Sequence, residues 1–169
     1  MPHKVLSTKL SQNIELLHTL LPLGKSFDLI TRDLRLGDTP AYWLGINGFC
    51  KTEILQQIFS DLQNPLYTVD SEIRDLPHYV QSKLGYAQVS LTSSVDDILQ
   101  NLLSGPSILL VDGFDQAVII DVRTYPVRSI SEPDTERITR GARDGFVETL
   151  LFNTNLIRRR VRSPKLTFS

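Results

Sequence analysis

The fold is decided by residues 94–122, SVDDILQNLLSGPSILLVDGFDQAVIIDV, where a helix, a strand and a returning strand follow one another closely. Ser94 can cap a helix whose first turn holds two acidic residues, which are favourable at the positive end of the helix dipole. The apolar spacing then predicts a helix to about Leu103, and Gly105-Pro106 ends it.

An apolar hairpin follows this helix. Ile108–Val111 is apolar throughout, which predicts a strand buried on both faces, and Asp112–Asp115 predicts a tight turn. Ala117–Val122 is then the returning strand. A short alternating segment, Tyr86–Leu91, precedes the helix, and this strand–helix–strand order predicts a parallel pair of strands.

The N-terminal half predicts a second hairpin and three more helices. Alternation from Phe27 to Leu36 and the segment Ala41–Ile46 are typical of paired strands joined by a Gly-Asp-Thr-Pro turn. On the second of these strands, Trp43 is expected in the core and Tyr42 at its edge. Apolar periodicity predicts helices over residues 7–21, 51–62 and 71–84. We therefore predict an α/β fold, with a mixed β-sheet of two hairpins and a strand–helix–strand unit covered by helices.

Composition is typical of a globular domain. Of the 169 residues, 41% are hydrophobic and 22% are charged, and the net charge is −1. A domain this close to neutral has no overall field that favours nucleic acid, so no nucleic-acid partner is expected. A single cysteine, Cys50, fits a reducing compartment, and no apolar run reaches the length of a membrane span. These features predict a soluble domain.

No familiar arrangement of catalytic or ligand-binding residues is present. Leu23-Gly24-Lys25-Ser26 ends like a phosphate-binding loop, but it lacks the first glycine and lies between a predicted helix and a predicted strand. Cys50 begins a helix without a nearby histidine. The three histidines lie in separate elements, and Asp112, Asp115 and Asp121 lack the spacing of a calcium loop. We predict no enzyme activity, no metal and no cofactor. A small-molecule site at strand ends, near Asp112 or after Leu91, stays open as an alternative.

A basic amphipathic helix closes the chain. Residues 145–162 are predicted to form it, with Asp144 as its cap and a wide apolar face. The consecutive arginines 158–160 point in different directions around a helix, which does not suit groove reading in a duplex, although contact with anionic lipid stays open. We expect Phe146–Val161 to be buried and Arg158–Arg162 to lie at a junction with another part of a larger assembly.

Several runs of residues resemble one known family. They are SEPDTER at 131–137, RGARDGFVET at 140–149 and NLIRRR at 155–160, supported by SFD at 26–28, INGF at 46–49, GPSILLVDG at 105–113 and DVRTYP at 121–126. This pattern closely resembles the A-subunit family of bacterial spore germinant receptors. It looks more like the stage V sporulation branch of that family than like its nutrient-sensing subunits.

The resemblance implies a longer protein of the spore inner membrane. Residues 1–163 would be the first α/β subdomain of an N-terminal soluble region facing the spore core, and 164–169 would begin a linker or strand into a second subdomain. Helices that span the membrane would follow. The implied role is assembly and signalling in a complex that releases ions or solutes during germination, as a homo-oligomer with partner germination membrane subunits. The alternative is binding of a germinant by a nutrient receptor subunit.

Charge alternation in the last third of the chain suggests ion pairs with a neighbouring subunit or domain. The residues expected at that interface are Arg137, Arg140, Arg143, Asp144, Phe146, Glu148, Arg158, Arg159, Arg160 and Arg162.

Overall fold

A computed structural model describes residues 4–64, 73, 75–85, 87–124 and 148–169. Its described strands form one five-stranded sheet in the order β1-β2-β4-β5-β3. The strands are β1 (Leu29–Leu36), β2 (Thr39–Ile46), β3 (Gln88–Thr92), β4 (Ser107–Val111) and β5 (Ala117–Asp121). Two hairpins, β1-β2 and β4-β5, are present as predicted.

The predicted parallel pair is wrong, because every ladder between the described strands is antiparallel. β3 and β4 run in the same direction but are not neighbours, since both pair with β5. The reason is the tight turn at Gly113, whose φ of 88° returns the chain at once beside β4. β3 is left with the outer edge of β5, and the result is a split strand–helix–strand unit.

Five helices are present among the described residues. They are α1 (Leu10–Leu20), α2 (Thr52–Gln63), α3 (Leu76–Lys83), α4 (Val95–Ser104) and α5 (Leu150–Arg160). The ends of α4 follow the predicted signals, because the Ser94 side chain accepts a hydrogen bond from the Asp97 N–H and Gly105 takes a left-handed φ of 118°. None of the helices in the described part of the chain combines the length and apolar character that crossing a bilayer requires.

Both faces of the sheet are covered, which makes a three-layer α/β/α arrangement. Ile108 and Leu110 of β4 pack in one cluster with side chains of α1 and α4, whereas Leu109 and Val111 pack in a second cluster with side chains of α2 and α3. Successive residues of a strand point to opposite faces, so a strand in the middle of three layers is apolar throughout.

The aromatic pair of β2 serves both layers. Tyr42 belongs to the α1/α4 cluster and is buried, so the prediction that it lies at an edge is wrong. Trp43 is in the opposite cluster, as expected of a core residue, and stacks edge-on against Phe59 with ring centroids 5.2 Å apart. Gly45 leaves room for the indole, because a Cβ there would collide with the Trp43 ring.

The terminal helix differs most from its prediction. It begins at Leu150, and Glu148 and Thr149 are not helical, while the predicted cap Asp144 lies outside the described residues. Its buried side chains are polar: Thr154, Asn155 and Arg158. Three apolar side chains expected to be buried, Leu150, Phe152 and Val161, are 65%, 42% and 46% exposed. The helix turns its polar side inward because the surface beneath it contains the carboxylate of Asp28, which binds Arg158, and Gly48, which leaves room for Asn155.

Candidate functional site

Several segments of the runs that resemble the family, among those that the structure describes, meet at one end of the sheet, which we call the motif end. It comprises residues 26–28 before β1, 47–49 after β2, 105–106 before β4, 121–124 after β5 and 155–158 of α5. Backbone hydrogen bonds join these segments directly. The Asn47 N–H donates to the Asp28 carbonyl at 2.8 Å, and the Thr124 N–H donates to the Phe49 carbonyl at 2.9 Å.

A buried ion pair between Asp28 and Arg158 lies at the centre of the motif end. Arg158 Nε donates to Asp28 Oδ2 at 2.6 Å, a second guanidinium nitrogen donates to Oδ1 at 3.1 Å, and both side chains are 0% exposed. Such a two-pronged pair is strong and geometrically specific. The two residues are 130 positions apart, so the pair connects the start of β1 to α5.

The same guanidinium also holds the end of the chain. Its remaining donors reach the carbonyls of Ser163 at 3.1 Å and Leu166 at 2.9 Å, and its carbon lies 5.1 Å from the centre of the Phe168 ring. Arg158 therefore fixes the path of residues 163–168.

Ser26 completes this network from the other side. Its hydroxyl donates to Asp28 Oδ1 and accepts from the Phe168 N–H at 2.8 Å. The Phe27 N–H donates to the Phe168 carbonyl at 3.1 Å. Residues 164–169 were expected to begin a linker or strand, and up to Phe168 they lie against the domain without forming a regular strand.

α5 packs closely against Gly48, in the turn after β2. A Cβ at Gly48 would collide with the Asn155 carboxamide and press on the Leu151 side chain, and the backbone there has a φ of 81°. Asn155 is buried, and its Oδ1 has no hydrogen-bond partner among the described residues. The glycine of INGF is thus needed for close packing of the helix.

A second, more exposed ion pair lies nearby. Arg123 contacts Asp121 at 2.6 Å and donates to the Ser104 carbonyl at the end of α4, at 3.1 Å. A cation at this position offsets the negative end of the helix dipole. The Arg123 side chain also crosses Gly105, where a Cβ would collide with it. Gly105 and Arg123, which belong to two of the family-resembling runs, are therefore packing partners.

A groove of about 1120 Å³ opens between α2, α3 and the end of β5. Its lining carries both signs of charge, with Asp61 and Asp121 facing Lys83 and Arg123. Loss of solvent lowers the pKa of the Lys83 ammonium, and the nearby Asp61 carboxylate partly opposes this. The Lys83 ammonium donates to the Asn64 carbonyl at 3.1 Å. This groove could accommodate a small polar molecule.

The strand-end site considered near Asp112 lies at the opposite end of the sheet and is used structurally. Asp112 Oδ1 accepts from the Leu10 N–H at 2.9 Å, which caps α1 from another element. In the loop after Leu91, the Thr92 hydroxyl is bonded to Asp97 and accepts from the Ser94 N–H. Asp112 and Asp121 lie at opposite ends of the β4-β5 hairpin, so they do not form one cluster.

Cys50 is not activated as a nucleophile. Burial raises the pKa of its thiol to about 11, so the thiolate is scarce at neutral pH. The Ser26 hydroxyl of the phosphate-loop-like sequence belongs to the Asp28 network, between a helix and a strand.

The predicted interface residues separate into three groups. Arg137, Arg140, Arg143, Asp144 and Phe146 lie outside the described residues. Glu148, Arg159, Arg160 and Arg162 are exposed around α5, so the prediction that the arginines point in different directions is confirmed. Arg158 is a correction, since it is fully buried against Asp28 and presents no surface to another subunit.

Sequence reasoning gave no role to three residues of the motif end, although all three lie in runs that resemble the family, SFD and NLIRRR. Asp28, Ser26 and Asn155 are ordinary polar residues whose partners are remote in the chain. Local periodicity offers one further hint, because Asn155 and Arg158 share a helix face with the apolar Leu151.

Comparison with known proteins gives the family of this chain. Residues 18–169 match the family described as Bacillus/Clostridium GerA spore germination protein. The chain belongs to this GerA family. Its germinant-receptor resemblance is thereby confirmed.

Individual relatives support the assignment of this chain to the GerA family. It is 36% identical to stage V sporulation protein AF of Bacillus subtilis over 156 residues, which are 92% of the chain and 31% of that protein. It is 32% identical over 162 residues to the uncharacterized membrane protein YfkQ of the same organism, covering 95% of the chain and 31% of the relative. The chain thus spans about a third of the length of these relatives.

A solved structure shows the same fold. The crystal structure of the N-terminal domain of the A subunit of the Bacillus megaterium spore germinant receptor GerK3 superimposes with a TM-score of 0.74. The match covers 99% of this chain and 60% of that one, at 22% identity. The predicted α/β class with a helix-covered sheet is therefore confirmed for this GerA-family chain.

Proposed function

We propose that this chain is the first subdomain of the N-terminal soluble region of a spore inner-membrane germination protein. In this proposal residues 1–163 form one α/β unit that faces the spore core, and 164–169 begin the connection to a second subdomain. Its work is non-enzymatic: assembly and signalling within a complex that releases ions or solutes. Other copies of the protein and partner germination subunits are its partners.

One observation supports a role in assembly and signalling more than any other. Described segments of the family-resembling runs meet at the motif end, where Arg158, Asp28 and Gly48 hold α5 and residues 163–168. These residues are engaged in packing and in ion pairs inside the domain. Such contacts fix the position of a helix and of a chain segment, which suits a domain that connects other parts of a protein.

The exposed part of α5 is the proposed contact surface. Arg159, Arg160 and Arg162 are exposed at the end of the helix, and Leu150 and Phe152 are exposed near its start. A surface that combines arginine with large apolar side chains is typical of protein interfaces. Its basic end suits an acidic surface on a neighbouring subunit.

The test is charge reversal in the full-length protein. We expect Arg162→Glu to reduce crosslinking of the protein to itself or to partner subunits in spore membranes, because an attractive contact becomes repulsive. Lys9→Glu is the matched control, since Lys9 is also exposed but lies at the other end of the sheet. Circular dichroism of residues 1–169 should be unchanged in both variants. Equal crosslinking by Arg162→Glu, Lys9→Glu and the wild type would contradict the proposal.

Germinant binding is the second candidate, and the groove beside α2 and α3 favours it. A polar small molecule with both charges, such as an amino acid, could pair with Asp61 and Lys83 on the groove lining. Binding at 100 times the dissociation constant would stabilise the domain by about 2.7 kcal/mol. An amino acid or sugar that raises the melting temperature of the wild type, but not of Lys83→Ala, would favour this candidate.

A further inference from the structure

α5 and the chain after it are attached differently from the other elements. Neither apolar cluster of the domain contains a residue from 148–169. The other four described helices each contribute buried leucine, isoleucine or valine side chains to one of the clusters. Burial of apolar surface is the main source of cooperative stability. The attachment of α5 therefore depends on a different set of contacts.

Besides packing against α4 and the contact of Leu151 with Gly48, these contacts include a polar set that involves few residues. Arg158 binds Asp28 with two donors and the carbonyls of Ser163 and Leu166 with the others. Ser26 accepts from the Phe168 N–H, and the Phe27 N–H donates to the Phe168 carbonyl. Together these groups form hydrogen bonds with the backbone of residues 163–168 from two sides.

We infer that α5 and residues 163–168 form one unit that docks at the motif end, where Ser26 and Asp28 receive Arg158 and the backbone of Phe168. This unit leaves the motif end and α4 as a whole, while the sheet and helices α1–α4 stay folded. The Asp28–Arg158 ion pair sets the balance between the docked and undocked states.

The physics of buried ion pairs makes such a balance possible. Desolvation of two charges cancels most of their attraction, so an intact pair adds little net stability. Removing one partner is costly, because the other charge then stays buried without compensation. The docked state is thus favoured by less free energy than the folding of the whole domain, and it is sensitive to either charge.

Undocking would move the point at which the chain leaves the domain. Residues 163–168 would then lose their fixed position beside Phe27, and whatever follows them would be released from the motif end. This consequence rests on the proposed signalling function, whereas the docking equilibrium itself does not.

Hydrogen exchange followed by mass spectrometry on residues 1–169 tests the inference directly. In the wild type, we expect amides of 150–168 to exchange faster than those of β2 and β4, through an opening that leaves the sheet intact. Asp28→Asn removes the charge and keeps the shape of the side chain. We expect it to speed exchange in 150–168 by on the order of 100-fold, with β2 and β4 amides changed by less than about 3-fold.

Asp121→Asn is the matched control. It breaks an ion pair of the same 2.6 Å length at the same end of the sheet, but one whose side chains are 33% and 24% exposed. We expect exchange in 150–168 to change by less than about 5-fold, as for a solvent-screened pair.

Two results would overturn the inference. One is exchange of 150–168 at the rate of β4 in the wild type, which would make α5 part of a single cooperative unit. The other is unchanged exchange of 150–168 in Asp28→Asn. If Asp28→Asn fails to fold, the comparison of exchange rates in the wild type alone decides whether α5 opens separately from the sheet. None of these outcomes depends on whether the proposed germination role is right.

Discussion

Gly48 is the residue on which the packing of α5 depends most directly. Its φ of 81° lies in the left-handed region, and the space where a Cβ would be is filled by the Asn155 carboxamide and by Leu151. An alanine would therefore meet backbone strain and a steric collision at once. Glycine satisfies both demands because it has no side chain.

We expect Gly48→Ala to lower the free energy of unfolding by about 2–4 kcal/mol, from a strain of about 1–2 kcal/mol and a collision of similar size. Gly113→Ala is the control, because Gly113 has a φ of 88° but nothing within 4 Å of a Cβ. Gly113→Ala should lower the free energy of unfolding by about 1–2 kcal/mol, from backbone strain alone. Urea denaturation measures both. Equal losses would mean that α5 does not press on Gly48.

Arg158 shows why single residues of the site escaped prediction. In the sequence it is one of three consecutive arginines, and nothing local distinguishes it from Arg159 or Arg160. A helix places successive residues about 100° apart, so three consecutive arginines cannot all face the same way. The inward one is decided by Asp28, which is 130 positions away.

Among the elements, helices with local end signals were predicted well. Ser94 and Gly105 define α4 within a residue or two, since capping depends on neighbours in the chain. Pro77 is tolerable only near a helix start, and it lies in the first turn of α3 behind the Asp75 cap. α1 is different, because its cap comes from the β4-β5 turn and no local pattern reveals it.

That remote cap leads to a prediction for α1. Asp112→Ala should lower the free energy of unfolding by about 1 kcal/mol, because the Leu10 N–H at the helix start loses its acceptor. Asp115→Ala is a control in the same turn, where the side chain is exposed, and should change stability by less than about 0.5 kcal/mol. Thermal denaturation can compare them, and a smaller loss for Asp112→Ala than for Asp115→Ala would argue against the cap.

For the whole molecule, the central strands join two apolar layers into one cooperative unit. Ile108 and Leu109 are neighbours in β4, both 0% exposed, yet they belong to different clusters on opposite faces. Truncating either one should therefore weaken the same folding unit.

We expect Ile108→Ala and Leu109→Ala each to lower the free energy of unfolding by about 2–5 kcal/mol. Fluorescence of Trp43, the single tryptophan, and far-ultraviolet circular dichroism should shift together in both variants. Leu150→Ala serves as the control, because Leu150 is 65% exposed and its loss should stay within about 0.5 kcal/mol. Separate transitions for the two probes would show that the layers unfold independently.

The sequence by itself determined the class of the fold, the two hairpins, the helices with local caps and the family. These features depend on apolar periodicity, turn residues and motifs that lie within a few positions of one another. Only the tertiary structure decided that β5 lies between β3 and β4, that α5 turns its polar side inward, and that Arg158 is buried. Each of those outcomes depends on a partner that is far away in the chain. The pattern of residues along one element does not specify which remote surface that element will pack against.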